Sequence, residues 1–556
     1  MAGSTAASSG LDWRSALAAL LAAAGLSLML LEPSLDGPIV SDDLLVFAGV
    51  PEVNALTPEN VRAVLDPRGE PVQTTANWAP VHLLAHMLAI QAFGSPLENP
   101  RPHHVLNGLL HGANAVLLAA LLAAYGVPWI AALLGGLLFL VHPANVETAA
   151  WIFQLKTLLA FSFGFGALFA LRSRPALATL LFALALLCKP SASAVLAGAI
   201  VFEAQRRLTP GEPRRRTPWL FAWGALLLLY ALPELVAFLN VGEFRQELAP
   251  GPRALQALAI AGRYVVLTLT GAGVSTFHQP LPPDSLLDPW LALGFVTLLG
   301  LGFLGVRALL RGHAAAGWLG IAAAAYLPVA QVFPFRYPMA DRYLYFVLPG
   351  LIGAAAVTLA PWLRSALAAA EGRGLRAAPR APLALGLAAA VLVAAWSVRF
   401  YERAGVWASP ERVEADAARN YPDGIPGQVT LARRLVAQGD LDGAVDAVDR
   451  ARARGHTNPA AFIQDPSLQP LLQHPRYLAL MQDMTEKWLE RARQVPPTVG
   501  VLMGIAQAEL FLGRVEPALA AMVRAEEIAS PEQREAIQKM RTDFERAVRS
   551  AGPATP

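Results

Sequence analysis

Residues 15–43 read SALAALLAAAGLSLMLLEPSLDGPIVSDD: an apolar run from Ser15 to Leu31, a turn at Gly37-Pro38, then the adjacent carboxylates Asp42 and Asp43. A run of that length without charge is either a retained transmembrane helix or the core of a cleaved signal peptide. No cleavage pattern follows it, so it reads as the first span. The Gly-Pro pair ends the approach from that span and delivers Ser41-Asp42-Asp43 just beyond it, at a membrane surface.

Further apolar runs recur along the chain. Its 556 residues are 55% hydrophobic and only 15% charged, with a mean hydropathy of +0.43, too apolar for a set of soluble domains. Apolar stretches lie near 15–32, 104–125, 127–142, 151–171, 175–188, 190–204, 218–239, 289–306, 315–334, 343–362 and 382–399, about eleven spans in all. Arginines set the orientation: Arg172 and Arg174, the group Arg206, Arg207, Arg214, Arg215 and Arg216, then Arg307 and Arg311, then Arg364, Arg373, Arg376 and Arg380. All fall on the side of Arg14, which the positive-inside rule makes cytoplasmic. This holds only if Ala254 to Gly273 enters without crossing, as a re-entrant or interfacial helix of the kind tolerated where protein covers it.

The net charge of +3 arises from these flanking arginines and implies no nucleic-acid partner. Cys188 is the only cysteine, which excludes an internal disulfide and argues against a cysteine-based zinc site.

After Arg399 the chain turns polar and helical. Ala432, Gly439, Ala444 and Ala451 recur with the same intervals as Ala506, Gly513, Ala518 and Ala525. This spacing resembles the tetratricopeptide repeat, in which small residues let paired helices pack closely; an alanine-rich bundle with chance spacing also fits. Either way the tail would bind protein partners and would not catalyse.

On this map the polar residues gather on the side opposite the arginines. A carboxylate at a membrane surface can be tuned as a base, and adjacent residues in an extended chain face opposite ways. One of Asp42 and Asp43 could then meet substrate while the other anchors; a solvated loop pair is the plain alternative. His142, Glu147, Trp151, Gln154 and Lys156 sit between two apolar runs. If Glu147 onward is one helix, Lys156 lies about half a turn from the face of Trp151 and Gln154. Lys156 and Lys189, two of only four lysines among 44 basic residues, could meet a lipid phosphate as point charges or snorkel to the interface. His104, Asn107 and His111 share one helix face, a pattern that fits metal ligation less well than hydrogen bonding between helices. Arg336 and Arg342 suit a phosphate, or Asp341 and Arg342 form a structural network.

Taken in order, Ser41-Asp42-Asp43, His104-Val-Leu-Asn107 with His111, His142-Pro143-Ala-Asn-Val-Glu147 through Trp151 to Lys156-Thr157-Leu-Leu-Ala160, Lys189-Pro190-Ser191, and Ala340-Asp341-Arg342-Tyr343-Leu-Tyr345 resemble a known group. It is the transmembrane and tetratricopeptide repeat-containing proteins, relatives of protein O-mannosyltransferases within the GT-C superfamily of membrane glycosyltransferases. The resemblance is strongest from Ser41 to Glu203 and resumes at Phe335 to Tyr345. It implies transfer of a sugar from a polyprenyl-phosphate donor to a protein or glycan acceptor on the outer face, with inversion. Asp42 would be the base and Asp43 its support. Lys156, Lys189, Arg336 and Arg342 would hold the donor phosphate, and His142 and Glu147 match a second polar segment.

The chemistry requires no nucleotide loop and no certain cofactor. A divalent metal is compatible with it, but one acidic pair supplies too few ligands to assign one. A non-catalytic scaffold whose tail recruits partners is the alternative, and a polyprenyl-lipid transporter a third. Transport predicts charge in mid-span, whereas here charge clusters at the outer ends.

The expected fold is therefore all-α. A polytopic, GT-C-like helical membrane domain spans residues 1–400, with 33–103 as its first external loop, and a soluble tetratricopeptide-like domain spans 401–556. The heavy use of arginine, alanine and leucine points to a GC-rich bacterial genome, hence an inner membrane with the carboxyl-terminal domain outside the cytoplasm.

Overall fold

The computed structural model describes residues 13–207, 216–240, 250–331, 335, 337–373, 380–529 and 531–551, and among these every regular element is a helix. Seven helices are long and apolar enough to cross a membrane: Trp13–Ser34, Arg101–Ala124, Ile152–Ala170, Thr217–Ala237, Pro289–Leu310, Asp341–Ala366 and Ala384–Ala408. An eighth is the pair Trp129–Val141 and Pro143–Ala150, bent by 55°. Three of the apolar runs form shorter helices, Pro175–Leu186, Ala194–Arg207 and Ala315–Tyr326.

The fold comprises two compact units, one running to Asn420 and a second made chiefly of Tyr421–Pro556. The first therefore extends past the change in composition at residue 400. The reason is a polar clamp: Asp416 on the Pro410–Asn420 helix accepts from Arg403 Nη1 (2.5 Å) and from the Thr276 amide (3.0 Å). The Thr276 hydroxyl donates to Val413 O, and Asn420 donates to the Ser275 hydroxyl.

Within this unit Pro250–Thr270 forms one continuous helix against Pro289–Leu310. The approach is close enough that a Cβ at Gly294 would lie 1.9 Å from the Leu258 carbonyl, and one at Gly262 2.2 Å from that of Trp290. Only glycine permits backbones to meet in this way. Arg263 lies over the Trp290 ring, 4.7 Å from its centroid.

Two apolar helices run from a lysine end to an arginine end. Ile152–Ala170 ends at Arg172, whose carbonyl accepts from Arg216 (2.8 Å). Ala194–Arg207 ends beside the same cluster, where Glu203 binds Arg206 and accepts from Thr217. At the opposite end of these helices Lys189 Nζ donates to Thr157 Oγ1 (2.7 Å). The arginines thus gather at one end of this group and the two lysines at the other.

In the second unit, Ile425–Gln438 pairs with Leu441–Ala453, and Val499–Phe511 with Val515–Ile528. Ala432, Ala444, Ala451, Ala506, Ala518 and Ala525 are all fully buried, and Gly439 (φ +82°) and Gly513 (φ +75°) make the left-handed turns. The repeated sequence spacing is therefore a repeated helical hairpin, closed by a residue type that takes positive φ without steric cost.

Candidate functional site

The site is built on a broken backbone. Pro143 forces His142 out of helical conformation (ψ 123°), and Trp151 is extended again (φ −81°, ψ 118°). The expectation that Glu147 to Lys156 forms one helix fails at Trp151, so the half-turn separation inferred from it does not apply.

Breaks of this kind free carbonyls that must be paired inside a bundle. One face of Arg101–Ala124 supplies the partners. The His104 ring nitrogens face Ala150 O (2.8 Å) and Gly37 O (3.1 Å), and Asn107 Nδ2 donates to Trp151 O (2.9 Å). His111 Nε2 faces Leu140 O (3.0 Å) while its Nδ1 meets Tyr345 OH (2.9 Å), and Asn114 Nδ2 donates to Leu158 O (3.0 Å). His142 uses Nδ1 to accept from the Ala144 amide and Nε2 toward Thr268 O. His104, His111 and His142 thus each have both ring nitrogens within hydrogen-bonding distance of polar atoms of the fold.

Asp42 and Asp43 open the Asp42–Phe47 helix, entered through Ser41 at φ +54°, ψ −123°. That conformation is costly for a residue with a side chain. Asp43 is fully buried. Its Oδ2 accepts from the Val40 amide (3.1 Å) and Oδ1 from the Phe153 amide (2.8 Å), tying the turn before the helix to the broken segment. Burial pushes its carboxyl up to about 8. Asp42 is half-buried and, among the described residues, its one hydrogen bond is a long contact from the Ser41 hydroxyl, 3.5 Å. It lies within charge range of both Lys156 and Arg342.

Three of the four cations singled out in the sequence converge. Lys189 feels the charges of Lys156 and Arg342 and that of Glu147. Lys156 Nζ sits over the Phe153 ring, 4.1 Å from its centroid. Arg342 Nη1 binds Glu147 Oε1 (2.5 Å), and its backbone N–H donates to Oε2 (2.7 Å). Its guanidinium also lies over the rings of Trp151 and Tyr343. Arg336 lies outside the described residues. The suggested Asp341–Arg342 network is not formed: Asp341 instead takes His278 Nε2 (2.7 Å) and the Ser275 amide (3.0 Å).

Like charges held together in a partly desolvated place repel unless an anion or carboxylate offsets them. Here Glu147 offsets Arg342 directly. Lys189 spends one of the three donors of its ammonium on Thr157, which in turn donates to Gln154 Oε1 (2.7 Å). Such a grouping can receive an anion beside a half-exposed carboxylate.

Sequence reasoning passed over two features. Glu234 is the lone carboxylate of Thr217–Asn240; it accepts from the Trp78 amide (2.7 Å) and lies within charge range of Lys156. An ionisable residue inside an apolar run is itself a signal. The pair His82 and His86, one helical turn apart, is buried beside Phe153. No protein-family model, curated protein or solved structure matches the chain.

Proposed function

We propose that the chain is a membrane glycosyltransferase that moves a sugar from a polyprenyl-phosphate carrier to a hydroxyl of a protein or glycan acceptor on the extracytoplasmic face. Asp42 accepts the acceptor's proton as its oxygen bonds to the anomeric carbon. The bond from that carbon to the carrier's phosphate oxygen breaks, and Lys156, Lys189 and Arg342 stabilise the departing phosphate. Attack from the face opposite the leaving group inverts the anomeric centre. Asp43, with both oxygens on backbone amides, positions the helix that presents Asp42. In this reading the shorter apolar helices complete about eleven membrane segments, the hairpins of the second unit are tetratricopeptide-like and recruit partners, and the chain resides in a bacterial inner membrane.

The observation that carries the reading is the half-buried Asp42 within charge range of Lys156 and Arg342. The test is transfer from a polyprenyl-phosphate sugar in membranes containing the full chain. Asp42→Asn should lower the rate about 10²- to 10⁴-fold, the usual worth of a general base, at unchanged protein level. Undiminished transfer in Asp42→Asn refutes the assignment, and absence of transfer in the wild type leaves the scaffold reading.

A further inference from the structure

His82 and His86 lie on the Pro80–Phe93 helix, both 1% exposed. Among the described residues, His82 Nε2 and both ring nitrogens of His86 are buried without a hydrogen-bond partner. A buried polar atom left unpaired costs about 1–3 kcal/mol, so three on adjacent rings call for a reason.

Their surroundings supply one. The Phe153 ring is shared: His82 packs edge-on against it with centroids 4.9 Å apart, His86 stacks at 6.2 Å, and Lys156 Nζ sits 4.1 Å from the same centroid. The Phe153 amide also holds Asp43. The amide of Val81, the residue before His82, donates to Leu187 O (3.1 Å), which fixes this helix start two residues from Lys189. His82 therefore stands beside both lysines and lies within charge range of each. Burial, then His86, then the lysines hold it well below the ordinary imidazole range, so it stays neutral and offers one N–H and one lone pair. The turn spacing of His82 and His86 would also suit a transition-metal chelate, but two adjacent ammoniums oppose a second cation and favour an anion.

We propose that His82 is a ligand-contacting residue beside this lysine pair, its Nε2–H donating to a phosphate oxygen that Lys156 and Lys189 draw in, with His86 packed against its ring to hold the orientation. This rests on the phosphate-binding reading of the lysines given above. It assigns the site a neutral donor in addition to its cations.

The full chain in phosphatidylcholine nanodiscs, titrated with undecaprenyl phosphate, tests both ideas separately. Lys156→Met should abolish saturable binding; if it binds as wild type, the phosphate reading itself fails. Given that loss, His82→Phe, which keeps a flat ring without a donor, should weaken binding about tenfold, the worth of one hydrogen bond. His82→Gln, which returns an amide donor, should recover most of it. Wild-type affinity in His82→Phe overturns the proposal. Should His82→Phe not fold, the ¹⁵N resonance of His82 Nε2 in the wild-type chain serves instead: it should move on adding undecaprenyl phosphate, and a fixed resonance refutes the contact. Stoichiometric Zn²⁺ binding without lipid, lost in His82→Gln and in His86→Gln, would also overturn it by making the pair a metal chelate.

Discussion

Replacing Asp43 by alanine strips the acceptors from two amides, Val40 and Phe153, that lie inside the fold. A buried donor left unpaired costs about 1–3 kcal/mol, so the pair predicts a loss of about 2–6 kcal/mol. Asp43→Asn keeps one carbonyl oxygen and should lose about half of that. The two variants also separate in pH. Burial raises this carboxyl from 3.8 to about 8, so the folded state binds a proton that the unfolded chain releases. The stability this proton contributes is complete below the unfolded value near 4 and drains away as pH rises through about 8. Asparagine does not titrate. In thermal unfolding of the detergent-solubilised chain, followed by tryptophan fluorescence, wild type should lose stability relative to Asp43→Asn between pH 5 and pH 9. Asp42→Asn, at a half-buried position with one long contact, should unfold within about 0.5 kcal/mol of wild type. An Asp43→Ala chain that unfolds with wild type, or parallel pH curves for wild type and Asp43→Asn, would refute the anchoring role.

Gly294→Ala should destabilise the chain by about 1–3 kcal/mol, since the new methyl meets a backbone carbonyl that cannot turn aside; Gly300→Ala, with open space at its Cβ, is the control and should be neutral. Arg342→Met leaves Glu147, whose side chain is only 6% exposed, without its cation and should cost about 3–5 kcal/mol. Adding Glu147→Leu should restore much of this, and additive losses in the double-mutant cycle would contradict the pairing. Gly439→Ala and Gly513→Ala meet no neighbouring atom, so each should cost only the left-handed backbone, about 1–2 kcal/mol. Both should leave the second unit more open to protease, and unchanged digestion would argue against the turns.

How much of this was legible depends on the range of the interaction. Apolar length announced the long helices, and glycine with alanine at fixed intervals announced the hairpins of the second unit, because both signals are local. The spacing of His104, Asn107 and His111 correctly indicated one helix face and hydrogen bonding across it. What no local pattern could disclose was their purpose, since the carbonyls they serve are freed by breaks at Pro143 and Trp151, dozens of residues away. The meeting of Lys156, Lys189 and Arg342 likewise depends on a hairpin of short helices and on a carboxylate, Glu147, that takes Arg342 in place of Asp341. His82 and His86 carried a readable turn spacing, but their unpaired nitrogens exist only in the packed molecule.

The short helices have a further consequence. Pro175–Leu186 and Ala194–Arg207 have 12 and 14 residues, so they extend about 18 and 21 Å, whereas a hydrocarbon core is about 30 Å thick. In the proposed membrane placement, with their arginine ends at one surface, Pro175–Leu186 would carry the turn at Lys189 short of the other surface and leave its ammonium recessed. Mobile ions screen exposed charges over about 8 Å at physiological ionic strength and screen recessed ones far less. An anion captured there should thus hold its affinity as sodium chloride is raised, and a steep decline with ionic strength would mean that the lysines meet open water.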